Sequence, residues 1–397
     1  VRDAARNSFA DGAERPAAAS SAAARYAVRR LALTEFRCYA QLRLEVEAHF
    51  VVLTGPNGAG KTNLLEALSF LAPGRGLRRA RLDAVGRING TAHWVVAATL
   101  ATPEGRLEIG TGRDPDAGEG SLRRVVRIDG KSARGQQALT QQLSVLWVTP
   151  DMERLFQEGS SARRRFLDRM VYGVDPEHAG RVAAYDHALR ERARLLREGI
   201  GDPAWLAALE GIMAEKGVAV AAARRALVRR LGAALRDARG PFPRAALTLE
   251  GAVDGWLDDG PALEAEDRFR AELARAREAD ATFGGAAWGP HRSDLAVRHL
   301  DTNMSAALAS TGEQKALLLS LILAHGRLQA LDRGAAPLLL LDEVGAHLDR
   351  VRRAALWEAL AELGGQTWMT GTDEALFEPL GTNAQHFRVV DANVVPR

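Results

Sequence analysis

The stretch GPNGAGKT, Gly55 to Thr62, matches the pattern G-x-x-x-x-G-K-[ST]. It follows an apolar run, VVLT, and precedes a run of helical character, NLLEALSFL. In that setting glycines let backbone N–H groups curl around phosphate oxygens, and the helix N-terminus adds its partial positive charge. Lys61 is placed to bridge the β- and γ-phosphates of ATP, and the Thr62 hydroxyl to hold Mg²⁺. Gly55, Pro56, Asn57, Gly58, Ala59 and Gly60, with Asn63 just beyond, complete the expected nucleotide cradle. A glycine-rich turn without a ligand is the alternative, and motif and context together outweigh it.

Two further stretches complement this loop. LLLLDE, residues 338–343, is a buried strand ending in two acids. Asp342 at its carboxyl end is placed to hold the magnesium, and Glu343 to orient or deprotonate the attacking water. ALASTGEQK, residues 307–315, is a helix start in which Ser310 caps the first backbone N–H groups and Glu313 reaches back as in a capping box. The order of signature helix, acidic strand and GAHLD is that of ABC-type ATPase heads. There the signature serine and glycine, here Ser310 and Gly312, face the γ-phosphate held by a second subunit, an anion site at a helix end used in trans. Asp349 of GAHLD joins the expected nucleotide-binding set. Both readings of Ser310, helix cap and phosphate ligand, stay open and are compatible.

These residues need a sheet to bring them together. From Tyr26 to Pro150 the text reads as strands: RLALTEF and QLRLEVE alternate, HFVVLT is a continuous apolar run, and Asp129-Gly130 is a hairpin turn signal. From Asp151 to about Ala281 apolar residues recur at helical spacing, with no heptad seam long enough for an extended coiled coil. Strand text returns at SDLAVRHL, APLLLLDE and QTWMTGT. The expected fold is α/β, a phosphate-loop ABC-type ATPase head with antiparallel β elements and an inserted helical domain. The expected boundaries are a disordered tail over 1–25, ATPase lobe I over 26–150, the helical lobe II insertion over 151–285, and the rest of the ATPase over 286–397.

Composition narrows the setting. The chain has 397 residues, 47% hydrophobic, with a formal net charge of +3 and one cysteine, Cys38. A lone cysteine excludes an internal disulfide framework and fits a reducing cytoplasm. No apolar run approaches the roughly 20 residues of a membrane span, so no membrane partner is expected. The first 25 residues lack the apolar core of a secretory signal. Lys61, Lys131, Lys216 and Lys315 are the only lysines among the 53 basic residues, and two of them fall inside the motifs above. Where arginine is written almost everywhere, a retained lysine points to a need for a compact ammonium, the alternative being chance.

The motifs LTEFRCY, GPNGAGKTNLLEALSFLAPGRGLR, RRRFLDRMV, WGPHRSDL, ASTGEQKALLLSLILA, PLLLLDEVGAHLD and TGTD resemble those of the RecF family of bacterial recombination-repair proteins, from about Tyr26 to the C-terminus. The resemblance implies an SMC-like ABC ATPase without the long coiled coil. It implies a weak, DNA-stimulated ATPase that dimerises on ATP, binds duplex and gapped DNA, and works with RecR and RecO to load RecA at single-strand gaps. By the same likeness Arg37 is expected to touch bound nucleotide, the alternative being a surface arginine at a strand end. Two positions depart from the family pattern: Cys38 where asparagine is usual, and Ser293 where an acid is usual. No glutamine of a Q-loop follows LWVTPDM, and none is assigned.

Among the arginine clusters, Arg163, Arg164 and Arg165 have little acid nearby in sequence and are the expected DNA-phosphate contacts. Two other classes share part of this pattern. An ABC transporter ATPase usually has its phosphate loop and acidic strand much closer together, and lacks this helical insertion and the GPHR stretch. A DNA-binding structural switch with little turnover is separated only by measuring hydrolysis.

Overall fold

A computed structural model of the chain describes residues 26–91, 93–114, 123–199, 202–346 and 348–397. The tail expected over 1–25 lies outside the described residues. Strands β1 (Ala27–Phe36) and β2 (Tyr39–Glu45) pair antiparallel, with the alternating burial of half-covered strands. β3 (Phe50–Thr54) is buried along its whole length and runs into the phosphate loop and α1 (Lys61–Ser69). β4 (Val95–Thr102), β5 (Gly105–Arg113), β6 (Arg124–Ile128) and β7 (Lys131–Ser132) complete an antiparallel sheet in the order β2-β1-β4-β5-β6-β7. Its last hairpin turns at Asp129 and Gly130, with φ of 48° and 76°, as a primed two-residue turn requires.

A short helix, α2 (Ala138–Gln142), leads to β8 (Val145–Val148). The chain then becomes helical: α3 (Ser160–Tyr172), α4 (His178–Glu198) and α5 (Pro203–Arg236). The Asp202 side chain caps α5, with Pro203 at its first position, where the missing N–H costs nothing. After β9 (Ala245–Glu250) come α6 (Ala252–Asp259), α7 (Ala262–Arg275) and α8 (Arg277–Phe283). Tyr185 and Leu195 of α4, Met213 and Val218 of α5, and Phe269 and Leu273 of α7 form the helices' own core.

The C-terminal part supplies β10 (Asp294–His299), β11 (Met304–Ser305), α9 (Thr311–Arg333), β12 (Leu338–Leu341), α10 (Arg350–Leu363), β13 (Thr367–Gly371) and a hairpin of β14 (Ala384–Val390) and β15 (Asn393–Pro396). A second sheet runs β15-β14-β3-β13-β12-β8, parallel except for its β15 edge. Strands β3, β8, β12 and β13 are buried along their whole length, which is why the sequence there is mostly unbroken apolar text. Val51, Leu53, Leu338 and Leu340 face the core shared with α1 and the first sheet. Phe50, Val52, Leu339 and Leu341 face the core shared with α9 and α10. The fold is therefore α/β, with a parallel sheet, antiparallel elements and a helical region, as expected.

Two elements were not foreseen. The stretch 151–285, expected to be helical, contains β9, which pairs antiparallel with β10 and so shares a three-stranded sheet with the C-terminal part. AALTLE does alternate, but it is short, and its partner lies beyond three intervening helices. The terminal hairpin turns at Asp391 and Ala392, with φ of 47° and 59° on residues that carry no glycine signal. Among the described residues no helix is long and apolar enough to cross a membrane.

Candidate nucleotide-binding site

The phosphate loop leaves β3 at its carboxyl end and closes onto α1. Pro56, Asn57 and Gly58 are exposed, while Ala59, Gly60 and Lys61 are buried. Gly55 has φ 149°, and a Cβ there would stand 2.1 Å from the Val389 carbonyl oxygen of β14. Gly60 has φ 117°, and a Cβ there would stand 2.6 Å from the Tyr39 hydroxyl and 2.9 Å from Cys38 Sγ. Both glycines are therefore required by close approach as well as by backbone angle. The Ala392 N–H of the terminal hairpin donates to the Ala59 carbonyl (3.2 Å), so that hairpin forms one wall of the loop. No side chain caps α1, and its first turn holds no acid, which leaves its N-terminal dipole available to an anion.

Lys61 Nζ donates to the carbonyls of Gly55 (2.7 Å) and Pro56 (2.9 Å), which holds the ammonium over the loop. Burial lowers its pKa, and the carboxylates of Glu343 and Asp342 oppose that shift. The Thr62 hydroxyl stands 3.0 and 3.1 Å from the two oxygens of Asp342, a residue 280 positions away. These are hard oxygen donors side by side, the donor set that Mg²⁺ takes from a phosphate loop and an acidic strand. Among the described residues no group of three or more His, Cys, Asp or Glu is arranged to hold a metal, so the remaining ligands would be phosphate oxygens and water.

Thr370, at the end of β13, was not singled out in the sequence. Its hydroxyl donates to Asp342 Oδ1 (2.7 Å) and accepts from the Glu343 N–H (2.9 Å), so it sets both acids. Glu343 has φ 51°, a left-handed conformation that costs a non-glycine residue about 1–2 kcal/mol. That backbone bend follows directly on Asp342, and the Thr370 hydroxyl holds it in place.

At the start of α9 both halves of the capping box are present. Glu313 N–H donates to Ser310 Oγ (3.3 Å), and Ser310 N–H donates to Glu313 Oε2 (3.0 Å). The Ser310 N–H, and after it the Ser310 hydroxyl (3.1 Å), donate to the Glu313 carboxylate, hold it below its ordinary pKa and turn it back onto the cap. Ser310 is exposed, and nothing stands within 4 Å of where a Gly312 Cβ would be. Asp349 caps α10, accepting the Arg352 N–H (2.8 Å). Lys315 is buried, with Nζ 2.6 Å from the Ala346 carbonyl and 2.7 Å from Glu153, which ties the signature helix to the loop before Asp349. Ser310→Arg is expected to cost about 1 kcal/mol through the lost cap and to block an ATP-dependent dimer while sparing monomer ATP affinity. ATP-driven association equal to the unaltered protein, read by sedimentation, would leave this end as a cap alone.

Arg37 does not stand free. It makes a bidentate pair with Glu66 of α1 (2.8 and 2.6 Å) and donates to the Ala84 carbonyl, bracing the helix behind the loop. Asn63 donates to Cys38 Sγ (3.1 Å) and accepts from Arg78 (2.6 Å), so the sulfur at the family's usual asparagine position is a hydrogen-bond acceptor here.

Residues 27–391 match the family described as the RecF/RecN/SMC N-terminal domain. Over 368 residues the chain is 51% identical to a protein of Brucella suis biovar 1 (strain 1330) described as "DNA replication and repair protein RecF", covering 92% of this chain and 95% of that one. A protein of Rhizobium meliloti (strain 1021) with the same description is 50% identical over 367 residues, covering 92% and 97%. The chain belongs to the RecF family. In three dimensions it is similar to a solved structure described as the recombination mediator protein RecF-ATP in the RecFOR pathway. That likeness has a TM-score of 0.81 at 19% identity and covers 95% of this chain and 99% of the other. An SMC head domain bound to the C-terminal domain of ScpA, from Pyrococcus furiosus, follows at a TM-score of 0.51 and 16% identity, covering 94% and 96%.

The GPHR stretch of this RecF-family chain holds the helical region together. A Cβ at Gly289 would stand 2.2 Å from the Tyr185 hydroxyl. That hydroxyl donates to His291 Nδ1 (2.6 Å), and His291 Nε2 donates to the Ala286 carbonyl (3.0 Å). Burial pushes His291 down to about 4, so it is neutral. Arg224 of α5 donates to the Pro290 carbonyl (2.7 Å) and pairs with both oxygens of Asp168. Ser293, at the position where the family usually has an acid, donates to the buried Asp254 (2.5 Å), so an acid there would set two carboxylates together.

The arginine run needs correction in the same place. Arg163 has little acid nearby in sequence and was expected at DNA phosphates, yet it is bidentate to Asp294 (2.7 Å twice), 131 positions away. Arg164 donates to the Ser293 carbonyl (2.7 Å), and Arg165 is exposed and donates to Ser161 Oγ. The acid was invisible in a local window because the pairing joins α3 to β10. Arg163→Ala is accordingly expected to lower thermal stability by about 1.5–3 kcal/mol, the worth of hydrogen bonds to a charged group. The salt dependence of DNA binding should not move. A flattened salt slope with unchanged melting would restore Arg163 as a phosphate contact.

Proposed function

We propose that this chain is an ATP-dependent DNA-binding switch of recombinational repair and replication. In this reading two copies close on ATP, each lending its phosphate loop to one composite site and its Ser310 helix end to the other. Lys61 and the loop N–H groups bind the β- and γ-phosphates, Asp349 lies at the closing face, and Glu343 takes the proton of the attacking water. Thr62 and Asp342 would hold Mg²⁺, which would supply neutralisation of the phosphate charge. The closed dimer binds duplex and gapped DNA, with Arg165 the least committed guanidinium of its run, and works with RecR and RecO in loading RecA. Slow hydrolysis reopens it.

The observation that carries this reading is the Thr62–Asp342 contact, which assembles the phosphate loop and the acidic strand into one centre. The high identity to proteins described as DNA replication and repair proteins favours DNA over a transported solute. Steady-state ATP turnover with and without duplex DNA tests it. DNA-stimulated hydrolysis that depends on Glu343 supports it, and turnover indifferent to DNA contradicts the coupling.

A further inference from the structure

A cavity of about 980 Å³ separates the GRGLR loop that follows α1 from helices α3, α4 and α5. The loop brings Arg75, Arg78 and Arg79 to one wall, and the helices bring Arg164, Arg165, Arg169 and Arg224 to the other. Four acids also line it, Asp151, Glu158, Asp168 and Asp186. Asp168 is consumed by Arg224 and His178, while Arg78 is consumed by Glu66 and Asn63. Among the described residues no carboxylate pairs with Arg75, Arg79, Arg165 or Arg169. Arg165 donates to the Ser161 hydroxyl. Arg169 lies over the rings of Trp147 (4.5 Å) and Phe166 (5.4 Å) and touches the Met152 sulfur.

Arg75 and Arg79 of the loop wall thus face Arg165 and Arg169 of the helical wall across the cleft. Burial, then the charges of Arg165 and Arg75, depress the pKa of Arg79, and burial, then Arg79, depress that of Arg169. Like charges brought this close, partly out of water, gain from an anion set between them. The N-terminus of α3 adds to the field. Gly159 provides no side-chain cap, the first turn has no acid, and Ser161 and Ala162 of that turn line the cavity.

We propose that this cleft is a second phosphate site, distinct from the phosphate loop, and that it takes the phosphates of a single nucleic-acid strand. A pocket of this size suits a ligand of nucleotide dimensions. Guanidiniums on both walls match a run of phosphates, and Tyr172 on the helical wall offers a ring to a base. The source of the strand rests on the reading of the chain as a DNA-binding protein; the phosphate chemistry does not.

The test uses the full chain carrying Arg79→Ala with Arg165→Ala, and separately Arg165→Glu; both side chains are exposed, and melting checks the fold. Binding of a short labelled oligothymidylate and of the matching duplex is measured over a salt series. The double variant is expected to lose affinity for the single strand, with the slope of log K against log salt lower by about 1.4, at about 0.7 per contact. Arg165→Glu should lose more, and ATP affinity should be unchanged in both. Unchanged single-strand affinity and slope in both variants would overturn the proposal. Duplex binding without any single-strand binding would also overturn it, and would leave the DNA-binding reading standing. If neither DNA binds even with ATP, that reading fails, and inorganic tripolyphosphate titrated into Lys61→Ala protein decides the cleft. Binding lost on adding the Arg79 and Arg165 changes supports a phosphate site; no binding overturns it.

Discussion

Replacing Lys61 with Ala is expected to abolish ATP-dependent association and to weaken ATP binding at least tenfold. The carbonyls of Gly55 and Pro56 already hold the Lys61 ammonium over the loop. A hydrogen bond to a charged group contributes about 1.5–3 kcal/mol, and about 1.4 kcal/mol is a factor of ten in affinity. The fold should survive, because the lost partners are two loop carbonyls that water can reach once the side chain is gone. Calorimetric titration with ATP, run beside a thermal melt, reads both effects. Full ATP affinity in a folded variant would remove Lys61 from the site.

The second large effect is at Glu343. Glu343→Gln should bind ATP as the unaltered protein does and hydrolyse it about 10²–10⁴-fold more slowly, the usual contribution of a general base. The amide keeps the shape, and the Thr370 hydroxyl still receives the backbone N–H that fixes the bend. Loss of hydrolysis with intact binding should accumulate the closed dimer. Turnover at the unaltered rate would place the base elsewhere, and loss of binding would mean that the substitution had disturbed Asp342 instead.

Local chemistry was legible in the sequence, and long-range pairing was not. The phosphate loop, the acidic strand and the Ser310 capping box each lie within a few residues, so spacing alone exposes them. The strands carrying them were also readable, because burial on both faces forces unbroken apolar text. What escaped depends on partners far along the chain. Thr370 sets Asp342 and Glu343 from 28 and 27 positions away. The terminal hairpin walls the loop through Val389 and Ala392, with nothing in its own residues to announce it. Arg37 and Arg163 looked available for ligands because Glu66 and Asp294 are distant in sequence. A charged residue's freedom is a property of the fold, and local composition is a poor guide to it.

The central claim is that ATP joins two copies of this chain through the phosphate loop of one and the Ser310 helix end of the other. Sedimentation velocity of the purified protein with Mg²⁺-ATP, with Mg²⁺-ADP and without nucleotide tests it most directly. The predicted result is a dimer with ATP and a monomer in the other two conditions. A monomer in all three, or a dimer that forms without nucleotide, would contradict it.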